Sequence, residues 1–185
     1  MNGWRRSGRG AKARLVATLE QQEVVVLRGL VGEVREMLAA RSADAPADEL
    51  AELTGIRTGS STPPEDRVLA RLLPEFSRDD PALAGALRSL HEPALIEAKD
   101  GAAVTVLESL PDGGGRVELT PEQADAWLTA LNDVRLALGT ALDIQEDMPE
   151  ELPPDDPRAA HLGVYHWLTF VQDALVQSRM QLLQR

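Results

Sequence analysis

The chain contains 185 residues, of which 30 are acidic and 19 are basic, so its formal charge is −11. A body this acidic should repel nucleic acid and anionic membrane surfaces. The sequence has no cysteine, which excludes disulfides, thiolate metal sites and thiol redox switches. The length suits one domain, and no apolar run approaches the length of a membrane span or a secretory signal, so we predict a cytoplasmic protein.

The first 13 residues have the composition of a flexible basic leader. They hold four basic side chains and no acidic one, with glycines between them. The candidate partner contacts in this leader are Trp4, Arg5, Arg6 and Arg9, with Trp4 as an exposed anchor. Arginine and glycine at a chain terminus are also typical of solvated disorder, and direct DNA binding through the leader is a further alternative.

A short strand and a long helix follow the leader. Residues 14–19 alternate between apolar and polar side chains well enough for a strand. From Gln21 to about Ala40, apolar residues recur at helical spacing, which predicts the first core helix. The residues of this apolar stripe are Val24, Leu27, Val31, Val34 and Leu38.

The middle of the chain has the pattern of short helices separated by loops. Helices are predicted for residues 48–54, 65–73, 81–91 and 93–110, and prolines set several of their ends. Within the Gly-, Ser- and Pro-rich loop between the first two, Arg57 lies near glycines that are able to form an anion-binding backbone nest. Arg57 is therefore a further candidate partner-binding residue, with a plain linker as the alternative.

The last third of the chain contains the plainest helical signal. Residues 116–119 form a predicted strand, and Thr120, Pro121 and Gln123 then supply an N-cap, a first-turn proline and a capping-box partner. The apolar stripe of this helix consists of Trp127, Leu131, Val134, Leu138 and Ala141. A proline-rich connection leads to a last helix, residues 157–183, which is apolar nearly all round and is therefore expected to be central.

Together these patterns predict a mostly α-helical fold. We expect one domain over residues 14–185, with six or seven helices and a small two-stranded β element. The two strands would be residues 14–19 and 116–119, because each has an edge that needs a partner.

The sequence shows no catalytic, cofactor-binding or metal-binding set. His161 and His166 lie about 140° apart around a helix, so they cannot chelate one ion from that helix. The His-Glu pair at 91–92 lacks the second histidine of a zinc-protease motif, and the glycine triplet at 113–115 lacks the lysine of a phosphate-binding loop. No serine occupies a nucleophile elbow. We therefore predict a protein that is not an enzyme and needs no cofactor or metal.

Six segments spread over most of the chain carry a family resemblance. In chain order they are DELAELTGIRTG from Asp48, RLLPEF from Arg71, ALRSLHEP from Ala86, DGGGRVELT from Asp112, AWLTALNDVRLALG from Ala126 and VYHWLTFVQD from Val164. They resemble an actinobacterial family of domain-of-unknown-function proteins that includes the AosR-type oxidative-stress transcriptional regulators. The resemblance implies an accessory regulator which, in redox-sensing members, forms an intramolecular disulfide and engages an extracytoplasmic-function sigma factor. It also implies genes for a Clp protease adaptor and a sulfur-carrier system nearby.

The lack of cysteine separates this chain from the redox-sensing members of the family. The implied disulfide switch cannot operate, so the protein binds its partner constitutively, senses another stimulus, or shares a family role other than redox sensing. Our leading prediction is a non-enzymatic regulator that binds a sigma factor or another RNA polymerase component, whose basic surfaces suit an acidic body. The alternatives are an adaptor linked to Clp proteolysis or sulfur-carrier handling, and a weak DNA binder through the leader.

Overall fold

The computed structural model describes residues 2–8, 10–44, 58–145, 148–149, 151–153 and 155–183. Within these ranges the strands are β1 (Asn2–Ser7), β2 (Arg14–Leu19) and β3 (Gly115–Leu119), and a 3₁₀ turn occupies Gly10–Lys12. The helices are α1 (Gln21–Ala43), α2 (Arg67–Leu72), α3 (Pro81–Ser109), α4 (Pro121–Ala141) and α5 (Ala159–Leu183). The prediction of a mostly helical fold with a small β element is confirmed.

The three strands form one antiparallel sheet in the order β1-β2-β3. β2 and β3 pair with Leu15 opposite Leu119 and Leu19 opposite Gly115, which confirms the predicted pairing of residues 14–19 with residues 116–119. β1 adds a third strand to the other edge of β2, so the predicted two-stranded element is one strand short. The unpaired backbone groups of an edge strand favour such an addition.

The N-terminal residues differ from the predicted leader because Trp4 belongs to the core. Trp4 is 6% exposed, and its ring meets that of Trp127 edge to face with centroids 5.4 Å apart. The Ser178 hydroxyl on α5 donates a hydrogen bond to the Trp4 carbonyl at 3.0 Å. The prediction of Trp4 as an exposed anchor is therefore wrong, and Asn2–Ser7 forms a strand where we expected a flexible leader. The free energy gained by burying a large aromatic ring exceeds the tendency of the surrounding arginines and glycines to remain in solvent.

Two long helices begin and bury their faces as their sequence patterns predict. Thr120 Oγ1 accepts a hydrogen bond from Gln123 N at 3.2 Å, and Gln123 Oε1 accepts one from Thr120 N at 2.9 Å. This capping box starts α4 at Pro121. The apolar stripes of α1 and α4 join one core cluster, whose most deeply buried members from these helices are Val24, Leu27, Val31, Leu38, Ala124, Trp127, Leu131 and Val134.

The number of helices in the described residues is five, fewer than the six or seven predicted. The predicted helix at residues 48–54 lies outside the described residues. The helices predicted on either side of Pro93 are one helix, α3, because the expected break does not occur. Proline lacks the N–H that would normally bond to the Ser89 carbonyl. That carbonyl instead accepts a hydrogen bond from Gly59 N at 2.8 Å, so the preceding loop replaces the missing donor.

α5 packs on α4, β1 and β2, and Trp167 Nε1 donates a hydrogen bond to Glu23 of α1 at 3.2 Å. Leu168, Val171 and Leu175 are buried on one side of α5, whereas Phe170 is 54% exposed on the other. The prediction of a central last helix is therefore wrong, and an apolar side chain remains open on its outer face. In the ranges described, no helix combines the length and the apolar character needed to cross a membrane.

Replacing Trp4 with alanine should lower the free energy of unfolding by about 3–5 kcal/mol, because the change leaves a cavity against Trp127. The matched control is Arg5→Ala, which removes an exposed side chain from the same strand. It should change that free energy by about 0.5 kcal/mol or less. Urea unfolding followed by circular dichroism measures both variants. Equal effects would show that Trp4 does not anchor β1.

Candidate functional site

The residues predicted to contact a partner do not form one site in the part of the chain that the structure describes. Trp4 is buried, while Arg5 is exposed and Arg6 is half-buried on the same strand. Arg9 and Arg57 lie outside the described residues. Arg5 and Arg6 are thus carried by a paired strand of the sheet.

The histidines do not assemble a catalytic or metal centre in the described ranges. His91 is exposed and stacks on Phe76, with 6.2 Å between the ring centroids. His161 and His166 are exposed on α5. No group of three or more His, Asp or Glu side chains among the described residues is placed to hold a metal ion.

A groove of about 950 Å³ runs between α1 and α3. Its lining residues are Arg35, Leu38, Ala39, Ser42 and Ala43 from α1, and Leu90, Pro93, Ala94, Ile96, Glu97 and Asp100 from α3. We name this surface the α1–α3 groove. Leu38 and Ile96 are buried and form its apolar floor, while Leu90 is 51% exposed at its edge. Sequence patterns do not reveal this groove, because it exists only once the two helices are packed.

A buried ionic triad beside the groove joins α1 to α3. Arg41 Nε donates a hydrogen bond to Glu92 Oε1 at 2.7 Å, and Arg88 Nη1 donates one to Glu92 Oε2 at 2.5 Å. The three residues are at most 9% exposed. Charges buried this deeply are tolerated only when they are paired and hydrogen-bonded. The triad therefore fixes the position of α1 relative to α3.

The two arginines of the triad also hold the loops around it. Arg41 Nη2 donates to the Thr62 carbonyl at 2.5 Å, and Arg88 Nη1 donates to the Leu73 carbonyl at 3.2 Å. The Arg88 guanidinium also lies 5.6 Å from the centre of the Phe76 ring. Because two positive charges share one carboxylate, these carbonyl oxygens and the aromatic ring stabilise the surplus charge.

A close backbone contact attaches the loop containing Gly59 to α3. Besides the bond from Gly59 N to the Ser89 carbonyl, Ser89 Oγ donates to the Gly59 carbonyl at 3.0 Å. A Cβ atom at position 59 would lie 3.1 Å from Pro93 Cγ, so glycine lets the loop approach the proline ring. Pro93 thus lines the groove and also leaves the Ser89 carbonyl open for the loop.

The rim of the α1–α3 groove carries charges of both signs. Arg35 Nε donates to Asp100 Oδ1 at 2.6 Å and Arg35 Nη2 donates to Asp100 Oδ2 at 3.2 Å, which forms a bidentate pair. The hydrogen bond to Asp100 raises the pKa of Arg35. Glu97 is exposed and has no ion pair among the described residues. The rim therefore offers one uncompensated negative charge.

A second buried pair joins α3 to α4. Lys99 Nζ lies 2.5 Å from Asp133 Oδ1, and Asp133 is almost fully buried. Burial raises the pKa of Asp133, and the ion pair with Lys99 offsets only part of that effect. Buried ion pairs thus hold α3 to α1 on one side and to α4 on the other.

The described residues define a class of protein: a mostly helical domain with a small antiparallel sheet and a groove between two of its long helices. Residues 1–178 match the family described as Domain of unknown function (DUF2017), and the chain belongs to this family. The family resemblance seen in the sequence is confirmed. No solved structure matches the chain.

Proteins from mycobacteria are similar to this chain over nearly all of its length. The Mycobacterium tuberculosis (strain ATCC 25618 / H37Rv) protein named oxidative stress regulator AosR is 45% identical over 186 residues, which cover 94% of this chain and 85% of that protein. The Mycobacterium bovis (strain ATCC BAA-935 / AF2122/97) protein of the same name gives the same values. A Mycobacterium leprae (strain TN) relative is 42% identical over 190 residues, which cover 96% of this chain and 88% of that protein.

Glu92→Gln should lower the free energy of unfolding by about 3–5 kcal/mol, because it leaves two buried arginines without a countercharge. The matched control on the same helix is Asp100→Asn, which breaks a half-exposed ion pair. The control should lower the free energy by about 1 kcal/mol or less. Chemical denaturation at neutral pH compares the two variants. If Glu92→Gln has the smaller effect, the triad does not hold α1 to α3.

Gly59→Ala should destabilise the protein by about 1–3 kcal/mol, because the added methyl group meets the Pro93 ring and displaces the loop. The matched control is Gly101→Ala within α3, where no atom lies within 4 Å of the new Cβ. This control should stabilise the helix by about 0.5–1 kcal/mol. Thermal unfolding should therefore show a lower Tm for the first variant and a higher Tm for the second. A rise in Tm for both would contradict the loop contact.

Proposed function

We propose that this protein is a non-enzymatic, transcription-associated regulator that holds a helix of a partner protein in the α1–α3 groove. The partner that we propose is a sigma factor or another component of RNA polymerase. The name of the relatives, oxidative stress regulator, supports the regulatory part of the proposal. The observation that carries it is the groove, which among the described residues has an apolar floor and one unpaired carboxylate, Glu97, at its rim.

The shape of the groove suits an amphipathic helix. Ala39, Ala43 and Ala94 contribute small side chains to its walls, so a helix about 10–12 Å across is able to approach the floor. Such a helix would lay one apolar face on Leu38 and Ile96, as in other helix-in-groove complexes. Exposed apolar side chains beside a concave surface are typical of protein interfaces, and Leu90 is one of them.

The charge of the surface favours a basic partner. Glu97 at the rim is uncompensated in the described part of the chain. The whole chain carries a formal charge of −11. Sigma factors present basic surfaces that normally face DNA, and opposite charges steer the encounter of two proteins and suppress wrong partners.

The proposed binding is independent of thiol oxidation, because the chain has no cysteine. The groove is positioned by the Arg41–Glu92–Arg88 triad and by the contact of Gly59 with Ser89, and neither responds to redox potential. We therefore propose that the protein binds its partner in the cytoplasm without a thiol switch of its own.

Ala39→Arg should reduce capture of RNA polymerase components by about tenfold or more, because a long cationic side chain fills the groove and repels a basic helix. The matched control is Ala40→Arg, since Ala40 is the next residue and is also exposed but does not line the groove. Immobilised full-length protein is incubated with lysate of its host. The polymerase subunits and sigma factors that it retains are then quantified.

The proposal fails if the wild-type protein retains no polymerase component at a bait level that captures a known control partner. It also fails if the two arginine variants retain equal amounts, provided that circular dichroism shows both to be folded. Retention of a Clp protease component in place of polymerase, lost in Ala39→Arg, would assign the groove to the adaptor alternative.

A further inference from the structure

A second pocket, of about 300 Å³, lies where α2 meets the end of α4 and the first half of α5. Its lining includes Arg67 and Arg71 from α2, Arg135 from α4 and Tyr165 from α5. We name it the arginine pocket. It shares no lining residue with the α1–α3 groove, so it is a separate site.

Arg135 is a half-buried guanidinium whose described partners are all neutral. Its Nε donates to Thr169 Oγ1 at 3.1 Å, and its Nη1 donates to Gln172 Oε1 at 2.5 Å. Its Cζ lies 5.4 Å from the centre of the Tyr165 ring. These contacts fix the direction of the guanidinium but do not neutralise it, so the charge of Arg135 stays available to an anion.

The other two arginines of the pocket are on α2. Arg67 Nη2 lies 3.0 Å from Asp143 Oδ1, and both of these side chains are exposed. Arg71 is exposed and has no ion pair among the described residues. Among the described residues, the lining thus contains three arginines against one carboxylate, Asp143, which is an excess of two positive charges. This excess occurs in a chain whose overall formal charge is −11.

The pocket is preorganised by a close approach of α4 to α5. A Cβ atom at Gly139 would lie 3.3 Å from Tyr165 Cε2, so the bare backbone of this glycine allows the tyrosine ring to rest on α4. The ring in turn packs against the Arg135 guanidinium. A guanidinium that is already oriented loses little conformational entropy when an anion binds.

We infer that the arginine pocket binds a phosphate group, either as inorganic phosphate or as a small phosphate monoester. Guanidiniums present paired N–H donors that match phosphate oxygens, and a dianion matches the two surplus charges of the lining. The volume is near the lower limit for ligand pockets, so the ligand has few atoms beyond the phosphate. This site goes beyond the proposed regulatory binding and does not depend on it.

Isothermal titration of the full-length protein with inorganic phosphate, and separately with methyl phosphate, tests the inference. The ionic strength is kept constant with chloride, because salt screens exposed charges. The wild-type protein should bind one equivalent saturably, and the ligand should raise the Tm by mass action.

Arg71→Gln should weaken the affinity for phosphate about tenfold, and Arg135→Lys should weaken it through loss of the paired donors. Arg116→Gln, an exposed arginine of β3 outside the pocket, should bind like wild type.

Binding of both probes would identify a monoester site, and binding of inorganic phosphate alone would identify a site for the free ion; either result supports the inference. The absence of saturable binding at millimolar phosphate overturns it. Equal affinities of Arg71→Gln and Arg116→Gln also overturn it. If Arg135→Lys fails to fold, Arg71→Gln still decides the question, because Arg71 is an exposed side chain.

Discussion

The carboxylate of Glu92 accepts hydrogen bonds from two buried guanidiniums, and the α1–α3 groove with its flanking loops depends on this contact. Removing charges from water costs several kcal/mol per ion, and a buried pair recovers this only when its geometry is good. The main effect of the triad is therefore to fix one arrangement of α1, α3 and the loop carbonyls. Its net contribution to the free energy of unfolding is secondary. A groove fixed in this way would need little further ordering to bind the helix that we propose as its partner.

α2 connects the groove with the arginine pocket. This helix supplies Arg67 and Arg71 to the pocket, and the carbonyl of Leu73, the residue that follows it, accepts a hydrogen bond from Arg88 of the triad. The groove and the pocket thus share one short helix as a structural neighbour. The two sites also differ in charge among the described residues, because the groove rim has one unpaired carboxylate, Glu97, whereas the pocket lining has an excess of arginine. They would therefore select ligands of opposite sign.

Helical periodicity and capping residues predicted the long helices α1 and α4, because each of them buries one face. The need of each strand edge for a partner predicted the pairing of β2 with β3. The sequence patterns predicted the structure wrongly where a residue distant in the chain supplies a decisive contact. Pro93 predicts a break in the helix, but Gly59 N, 30 residues before Ser89, donates to the Ser89 carbonyl that the proline leaves without a partner. Arg88 and Glu92 have the i,i+4 spacing of an ordinary surface pair. Their burial with Arg41, which precedes Glu92 by 51 residues, has no local signature, so neither the triad nor the groove could be predicted.

The burial of Trp4 was not predicted from the sequence, because arginine and glycine dominate the residues that follow it. Its ring meets that of Trp127 edge to face at an interplanar angle of 80°. Two indoles held so close together couple their electronic transitions, and such coupling produces a paired positive and negative band in the ultraviolet circular dichroism spectrum. β1 carries one ring and α4 the other, so the paired band vanishes when the strand detaches even if every helix stays folded. Circular dichroism of the unlabelled protein should therefore show whether β1 is packed against α4.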